Sequence, residues 1–291
     1  MKPDTHENAI GIIGGSGLYA MDGLEELEEI NIETPYGAPS DTLVGGRLGG
    51  RKVYFLPRHG RGHRLLPTEL PHRANIWALR SLGVRWILCV TAVGSLREER
   101  HPREMVVVDQ FIDRTSRREH HTFFGQGIVA HSAFAEPTSA RLRNLLVTCA
   151  RQQGRPVHDG GTYVCMDGPA FSTRAESEWH RMAGGHVIGM TNLPEAKLAR
   201  EAEIALATLA MVTDYDCWKT DEEAVTAEAV MAHVHANSEA AKAVIRAVIP
   251  QIPMVADWPE HHALDSAIMT PREFWPREQH QRLWPILGYP K

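Results

Sequence analysis

Small clusters of glycine, hydroxyl and basic residues follow several predicted strands, and their residue types suit a small anion. The Gly14-Gly15-Ser16-Gly17 segment offers backbone N–H groups and one hydroxyl, and glycine lets an anion approach the backbone closely. Arg58 and His59 add a planar guanidinium and an imidazole donor. Thr91-Ala92 and Met190-Thr191 stand where two other strands are predicted to end. Together these donors fit free orthophosphate, although each cluster alone also fits an ordinary turn.

Two acidic residues and one aromatic residue form a second group. Asp214 and Asp216 follow the most apolar predicted strand, and in extended backbone residues i and i+2 face the same side. Two neighbouring carboxylates repel each other unless a ligand or a proton lies between them; a solvated turn that starts a helix is the alternative. Phe171 follows Gly168-Pro169-Ala170 in a predicted turn, where its ring either fills the core or faces a flat ligand such as a purine.

Two common nucleotide-binding motifs and a metal site are disfavoured. A dinucleotide fingerprint needs a third glycine where this chain has Ala20, and the lysine of a P-loop is missing. His59 and His63 have the spacing of metal ligands on a helix, but Gly60 and Gly62 disfavour that helix. We therefore expect neither a nicotinamide oxidoreductase nor a bound metal.

Strand and helix patterns alternate along the chain. Strands are predicted at residues 9–13, 42–47, 53–56, 86–93, 106–112, 162–166, 186–190 and 204–212, and helices at 69–82, 139–152, 175–182, 194–202 and 226–249. This alternation predicts the α/β class, with a central mixed, largely parallel β-sheet flanked by helices in a single domain. Ligands of such sheets bind beyond the carboxyl ends of strands, which is where the polar clusters are expected to lie.

The whole chain, residues 1–291, is predicted to form one domain with a core at about 9–250. After residue 250 proline and tryptophan become frequent, with Trp258, Trp275 and Trp284 in a short segment. We expect this tail, residues 251–291, to be irregular and to pack on the domain or on a neighbouring subunit.

Composition excludes several classes of protein. The 291 residues are 43% hydrophobic and 23% charged, which is typical of a globular protein rather than a disordered or fibrous one. The 31 basic and 36 acidic residues give a net charge of −5 with no basic stripe, so polymeric nucleic acid and anionic membrane surfaces are not expected partners. The apolar run at 204–212 is about half the length of a membrane span.

The termini and cysteines favour a cytoplasmic protein. Residues 1–8 are polar and contain no apolar signal-peptide region. The four cysteines, Cys89, Cys149, Cys165 and Cys217, are far apart and form no CxxC motif. Reduced and mostly buried thiols are the expectation for such a pattern.

Eight segments occur in the order of a known family: IGIIGGSGLY, RHGRGH, ANIWALRSLGV, TAVGSLREE, DQFIDRT, GPAFSTRAES, GMTNLPEAKLARE and TDYDCW. Over residues 9 to 250 the chain resembles the 5′-methylthioadenosine phosphorylases, a group within the purine nucleoside phosphorylase family of trimeric enzymes. The resemblance implies a nucleoside phosphorylase-like fold, a homotrimer, orthophosphate as co-substrate and no cofactor. The implied reaction cleaves the N-glycosidic bond of 5′-methylthioadenosine with phosphate, giving adenine and 5-methylthioribose 1-phosphate.

The same resemblance implies roles for individual residues. Phosphate is expected at Ser16, Arg58, His59, Thr91, Ala92 and Thr191, and the nucleoside at Phe171, Met190, Asp214, Asp216 and, from a neighbouring subunit, His131. Arg58 and His59 position the phosphate under C1′, and a protonated Asp214 donates to purine N7 as negative charge develops there. Asp214 and His59 are therefore the expected catalytic residues.

Base choice follows from hydrogen-bonding chemistry. Adenine carries an amino group that needs an acceptor, and Asp214 stands where relatives that act on 6-oxopurines carry Asn; Ser172 stands where they carry Glu. Adenine is thus the expected base. Ala170, where the family usually has Arg, is a departure near Phe171. The tail matches the family poorly, so 5′-deoxy- or 5′-halo-adenosine stays an alternative substrate, as do methylthioinosine and a non-catalytic nucleoside-binding role.

Overall fold

A computed structural model describes residues 8–15, 18, 21–219 and 227–288, with the backbone alone at 227–236. Within these residues the strands are β1 (Ala9–Gly14), β2 (Leu24–Ile30), β3 (Leu43–Leu48), β4 (Arg51–Pro57), β5 (Val84–Ser95), β6 (Met105–Val107), β7 (Gln110–Arg114), β8 (Val157–Asp159), β9 (Thr162–Met166), β10 (Val187–Gly189) and β11 (Ala205–Asp214). The α-helices are α1 (His72–Ser81), α2 (Ala140–Gln152), α3 (Arg174–Met182), α4 (Asn192–Glu201), α5 (Ala227–Val248), α6 (Arg277–Arg282) and α7 (Trp284–Leu287).

The described strands join in one sheet. Its main path runs β2-β3-β4-β1-β5-β10-β9-β7, while β11 pairs with β5 and β6, and β6 also pairs with β8. Around the centre, β1 lies parallel to both β4 and β5, and β11 lies parallel to β5. The antiparallel pairs are β2 with β3, β3 with β4, β10 with β5 and β11 with β6. The predicted α/β class with a mixed, largely parallel sheet flanked by helices is confirmed.

Helices cover both faces of the central strands. In β11, Leu206 and Ala210 belong to the apolar core that includes side chains of α1 and α4, whereas Leu209 and Met211 belong to the core that includes side chains of α2. This alternation is the two-residue period of a strand. It explains why residues 204–212 are apolar except for Thr208, since a strand buried on both faces needs apolar side chains on each.

Two predictions about strands were wrong. The single strand expected at 106–112 is two strands, because β6 pairs with β11 and β8 while β7 pairs with β9. Between them Asp109 turns the chain and accepts the backbone N–H of Gly161 over 2.9 Å. The sequence analysis also missed β2, whose LEELEEI sequence is largely exposed and has too few apolar residues to indicate a strand.

The C-terminal tail packs against the chain's own cores. Leu283 and Ile286 join the core that contains α1, and Trp258 joins the opposite core. The indole N–H of Trp77 donates to the carbonyl of Arg282 over 2.8 Å. These tail residues therefore pack on the domain, whereas a contact with a neighbouring subunit stays a prediction. The expectation of an irregular tail was wrong in part, because α6 and α7 lie within it.

Glu201, the last residue of α4, ties a loop to the helix and carries a pH prediction. Its carboxylate accepts the Thr122 hydroxyl and the Phe123 backbone N–H, each over 2.7 Å, yet burial raises its pKa from 4.5 to about 7. Because the folded state binds this proton more tightly than the unfolded state does, the free energy of unfolding falls as pH rises from 4.5 to about 7. We therefore expect the stability of Glu201→Gln, relative to that of the parent protein, to increase as pH rises from 5 to 8.

Urea unfolding of both proteins at each pH measures this difference directly. Between pH 5 and pH 8 the free energy of unfolding should fall more in the parent protein than in the variant, because only the parent must bury a carboxylate at pH 8. A stability difference that is the same at both pH values would contradict the assigned pKa.

Candidate active site

A gap in the sheet creates the site. Strands β1 and β4 end side by side, with Gly14 opposite Pro57, whereas β5 continues. β5 last pairs with β1 at Cys89 and pairs with β10 at Gly94 and Ser95. No described strand pairs with residues 90–93 on that edge, so Ala92 is exposed in the middle of a strand. The expectation that Thr91-Ala92 ends its strand was wrong; the neighbouring strands stop instead.

A cavity of about 390 Å³ opens at this gap, a size typical of small-molecule sites. Its lining includes most of the residues expected from the sequence: Arg58, His59, Thr91, Ala92, Phe171, Met190, Thr191, Asp214 and Asp216. Ser16 lies outside the described residues, next to the lining residue Gly15. His131 does not line the cavity in this chain; it is exposed, and its backbone N–H donates to the Ala267 carbonyl over 2.8 Å.

Arg58 follows β4 and is 2% exposed. Its Nε and Nη2 donate to the two carboxylate oxygens of Glu195 over 2.6 and 2.9 Å, and its Nη1 donates to the Val90 carbonyl over 2.9 Å. The sequence indicated the Arg58 cation but not its partner, the Glu195 carboxylate, which balances its charge. Arg58 thus enters the cavity as half of a buried ion pair.

His59 is a neutral ring. Burial and the nearby Arg58 guanidinium lower its pKa from 6.5 to about 4, and the ring stacks on His63 with centroids 4.3 Å apart. Nδ1 lies 2.9 Å from the Leu65 carbonyl. Because a carbonyl only accepts, Nδ1 carries the proton and Nε2 is an acceptor. Nε2 of the neutral ring can therefore accept a hydrogen bond from a protonated phosphate oxygen. Nε2 becomes a donor to phosphate, as expected from the sequence, only when the ring is protonated.

Two hydroxyls from distant elements converge beside Arg58. The Oγ1 atoms of Thr91 on β5 and of Thr191, the N-cap residue of α4, are 3.4 Å apart. Both threonines are buried but line the cavity. Hydroxyls that either donate or accept suit an oxyanion whose protonation varies.

The two acidic residues form the other end of the cavity. Asp214 is the last residue of β11, and its Oδ1 accepts the Asp216 backbone N–H while its Oδ2 accepts the Thr213 hydroxyl, each over 2.7 Å. Asp216 has a φ of +52°, so extended backbone does not continue to it. The expected reason for their proximity was wrong: a turn closed by Asp214, rather than the strand period, brings both to the cavity. Burial raises the pKa of Asp216.

An aromatic ring and a thioether line the same region. Phe171 is 47% exposed, so its ring does not fill the core. Met190 packs so closely on Gly168 that a Cβ there would lie 2.4 Å from the Met190 Sδ. Gly168 also has a φ of +65°, which glycine adopts at little cost. These contacts fix Met190 as a wall of the cavity.

Sequence reasoning missed several residues of the site. Glu195 lay within the quoted GMTNLPEAKLARE segment, and an acidic residue in the first turn of a helix after a strand end was a usable signal. Asn237 and Ser238 of α5 reach the cavity from far along the chain, and no local pattern indicates that. The remaining missed lining is largely apolar and includes Leu18, Leu66, Pro67, Met166, Ile188 and Met211.

Two other kinds of feature are absent from the described part of the chain. No group of three or more His, Cys, Asp or Glu side chains there could hold a metal ion. None of the helices in the same residues is long and apolar enough to cross a membrane.

Comparisons with known proteins agree with this geometry. The Phosphorylase superfamily matches residues 9–250. S-methyl-5′-thioadenosine phosphorylase of Geobacter sulfurreducens is 52% identical over 97% of this chain and 99% of its own length, and its namesake in Chloroflexus aurantiacus is 53% identical over 97% and 98%.

Solved structures give the same result. A methylthioadenosine phosphorylase from an antarctic soil metagenomic library is 48% identical, with a TM-score of 0.91 over 97% of this chain and 99% of that one. Methylthioadenosine phosphorylase of Schistosoma mansoni in complex with adenine is 36% identical, with a TM-score of 0.84 over 90% and 99%. The chain therefore belongs to the Phosphorylase superfamily and, within it, to the S-methyl-5′-thioadenosine phosphorylase family.

Proposed function

We propose that this protein cleaves 5′-methylthioadenosine with orthophosphate, releasing adenine and 5-methylthioribose 1-phosphate. One observation carries the proposal: a single cavity joins an oxyanion site to a pair of carboxylates. Thr91 and Gly94 are three residues apart on β5, or about 10 Å at the rise of a strand. A Cβ on Gly94 would lie 2.9 Å from Asp214 Oδ1. That spacing suits phosphate under C1′ at one end and a purine at the other.

The chemistry follows from the two ends. Orthophosphate is held by Arg58, His59 and the two threonines, and one of its unprotonated oxygens forms a bond to C1′ as the C1′–N9 bond breaks. The electron pair of that bond passes to the purine and places negative charge on N7. A protonated Asp214 neutralises this charge by donating to N7, and the phosphate dianion stabilises the oxocarbenium character at C1′. No metal or organic cofactor takes part in this scheme.

Carboxylates at the base end favour adenine over a 6-oxopurine. Asp214 and Asp216 can accept from the N6 amino group, whereas the O6 of hypoxanthine needs a donor. A buried site built on such hydrogen bonds rejects the wrong partner strongly, because it leaves polar groups unpaired. Relatives that are 52% identical carry methylthioadenosine in their names, which favours the methylthio group at C5′ over the 5′-deoxy and 5′-halo alternatives.

Adenine release from 5′-methylthioadenosine, with and without orthophosphate, tests the function. The same assay with 5′-deoxyadenosine, adenosine and methylthioinosine tests the substrate. We expect release only with phosphate and fastest from 5′-methylthioadenosine. Faster release from another 5′-modified adenosine would change the substrate, and faster cleavage of methylthioinosine would contradict the choice of adenine. No release from any of them would overturn the enzyme assignment.

Phe171→Ala tests the base end separately. Stacking of a base on an aromatic ring contributes about 1–3 kcal/mol, so we expect the nucleoside KM to rise about 5- to 150-fold while the phosphate KM stays nearly constant. Phe274, which is 69% exposed and does not line the cavity, gives a matched control in Phe274→Ala. Equal nucleoside KM values for both variants would remove Phe171 from the base site.

The assembly and the location of the protein are part of the proposal. We place His131, exposed and outside the cavity of its own chain, in the 5′ pocket of a neighbouring subunit of a homotrimer, and sedimentation of a monomer would contradict this. The four cysteines are free, which supports a cytoplasmic, reducing location.

A further inference from the structure

We propose that Glu195 is a positioning residue that holds one edge of the Arg58 guanidinium so that another edge faces orthophosphate. The inference rests on the proposed function, because it assigns Glu195 to the phosphate end of the same cavity. Glu195 does not line that cavity and is 1% exposed. It therefore acts through Arg58 rather than by touching the substrate.

Glu195 leaves some N–H bonds of the Arg58 guanidinium available to a ligand. A guanidinium has five N–H bonds, one on Nε and two on each Nη. Glu195 accepts from Nε and Nη2, and the Val90 carbonyl accepts from Nη1. Among the described residues, nothing else accepts from the guanidinium, so one N–H on Nη1 and one on Nη2 remain for a ligand in the cavity. Two such N–H bonds can donate to the oxygens of a phosphate.

The Glu195 carboxylate is itself held in place. Its Oε2 lies 3.5 Å from the Cys89 thiol and 3.4 Å from the Asn192 side-chain amide, both of which donate to it. Asn192 in turn accepts the Thr208 hydroxyl over 2.7 Å. On the other side, Nδ1 of buried His72 lies 3.8 Å from Oε1. A carboxylate fixed from several sides cannot rotate with Arg58, so it defines the plane of the guanidinium.

The position of Glu195 in the chain links two parts of the phosphate site. Thr191 is the N-cap of α4, and Glu195 lies four residues later in the same helix, beyond the non-helical residue Leu193. The same short segment therefore supplies the Thr191 hydroxyl and the contact that orients Arg58, which comes from the end of β4. We infer that the Glu195 contact sets the distance between the guanidinium and the two threonine hydroxyls.

Glu195 could align Arg58 or merely cancel its charge, and these two roles predict opposite results when Glu195 is neutralised. If Glu195 merely cancelled the charge of Arg58, its removal would leave an unbalanced cation and orthophosphate would bind more tightly. If Glu195 aligns Arg58, the guanidinium turns away and orthophosphate binds more weakly. The buried two-bond geometry and the fixed carboxylate favour alignment.

Glu195→Gln distinguishes these cases without a large change in shape. We expect the phosphate KM and the orthophosphate Kd from calorimetry to rise about 10- to 100-fold, the size expected for lost charge-assisted hydrogen bonds. The affinity for adenine should stay within about threefold, because the base end is untouched. Glu201→Gln is the matched control, since it changes a buried carboxylate of the same helix that holds Thr122 and Phe123 instead and should leave phosphate affinity unchanged.

A double-mutant cycle separates positioning from general damage to the fold. If Glu195 acts through Arg58, adding Glu195→Gln to Arg58→Lys should weaken phosphate binding by less than about threefold further. Independent effects that multiply in the double variant would overturn the proposal. So would tighter or unchanged phosphate binding in Glu195→Gln that unfolds like the parent protein.

The orthophosphate titration also keeps this inference distinct from the proposed function. If the parent protein binds orthophosphate but does not cleave 5′-methylthioadenosine, the function fails while the titration of Glu195→Gln still decides the role of Glu195. If the parent protein binds no orthophosphate, with or without adenine present, the positioning role is overturned as well.

Discussion

Asp214→Asn is expected to lower kcat/KM for 5′-methylthioadenosine by about 10²- to 10⁴-fold, the usual contribution of a general acid. The asparagine amide can still form a hydrogen bond to purine N7, but it cannot transfer a proton. Most of the loss should therefore appear in kcat, because the contact in the bound substrate survives whereas the one needed in the transition state does not.

The fold around this residue tolerates the change. An asparagine Oδ1 can keep accepting the Asp216 N–H, and its amide can donate to the Thr213 oxygen, so these two contacts of Asp214 each have a counterpart. The new donor also suits the O6 of a 6-oxopurine. We therefore expect turnover of methylthioinosine to rise in the variant as turnover of 5′-methylthioadenosine falls.

Steady-state kinetics on both nucleosides at saturating phosphate measure this exchange. Asp109→Asn is the matched control: Asp109 also accepts a backbone N–H, from Gly161 over 2.9 Å, but does not line the cavity. The control should retain the activity of the parent protein. If Asp214→Asn cleaved both nucleosides at parental rates, Asp214 would have neither the acid role nor the base-selecting role.

Arg58→Met should produce the largest loss of stability among the changes considered, about 3–5 kcal/mol of unfolding free energy at pH 8. The variant leaves the Glu195 carboxylate buried away from water and without the guanidinium that balances its charge. Arg58→Met/Glu195→Gln removes both charges and should regain most of that stability. Neither variant should bind orthophosphate well, because both lack the guanidinium.

The pH dependence of this loss has a defined sign. Burial alone would raise the pKa of Glu195, but the Arg58 guanidinium outweighs burial and holds it below the usual value. In Arg58→Met that pKa rises instead, so Glu195 takes up a proton as pH falls and the penalty shrinks. The stability gap between the parent protein and Arg58→Met should therefore be smaller at pH 5 than at pH 8.

Urea unfolding of the parent protein and both variants at the two pH values gives these numbers. Lys52→Met is the control, since Lys52 pairs with Glu28 at the surface and such pairs contribute about 1 kcal/mol or less. An Arg58→Met loss as small as that of the control, or no recovery in the double variant, would contradict the buried ion pair.

Local sequence patterns determined much of this protein. The near-continuous apolar runs of β5 and β11 indicate strands buried on both faces, because such a strand needs apolar residues on each face. The short motifs around Arg58, Thr91, Thr191 and Asp214 indicate the main polar groups that line the cavity, since strand ends in α/β proteins carry the binding groups.

Only the tertiary structure decided how those residues work. Arg58 and Glu195 are 137 positions apart, and Thr91 and Thr191 are 100 apart, so no local pattern reveals that each pair is in contact. The ion pair makes Arg58 an oriented donor whose charge Glu195 balances. The cavity itself exists because β1 and β4 stop while β5 continues, and relative strand length is a property of the assembled sheet. Long-range packing, which single residues do not encode, therefore decides charge, orientation and access at this site.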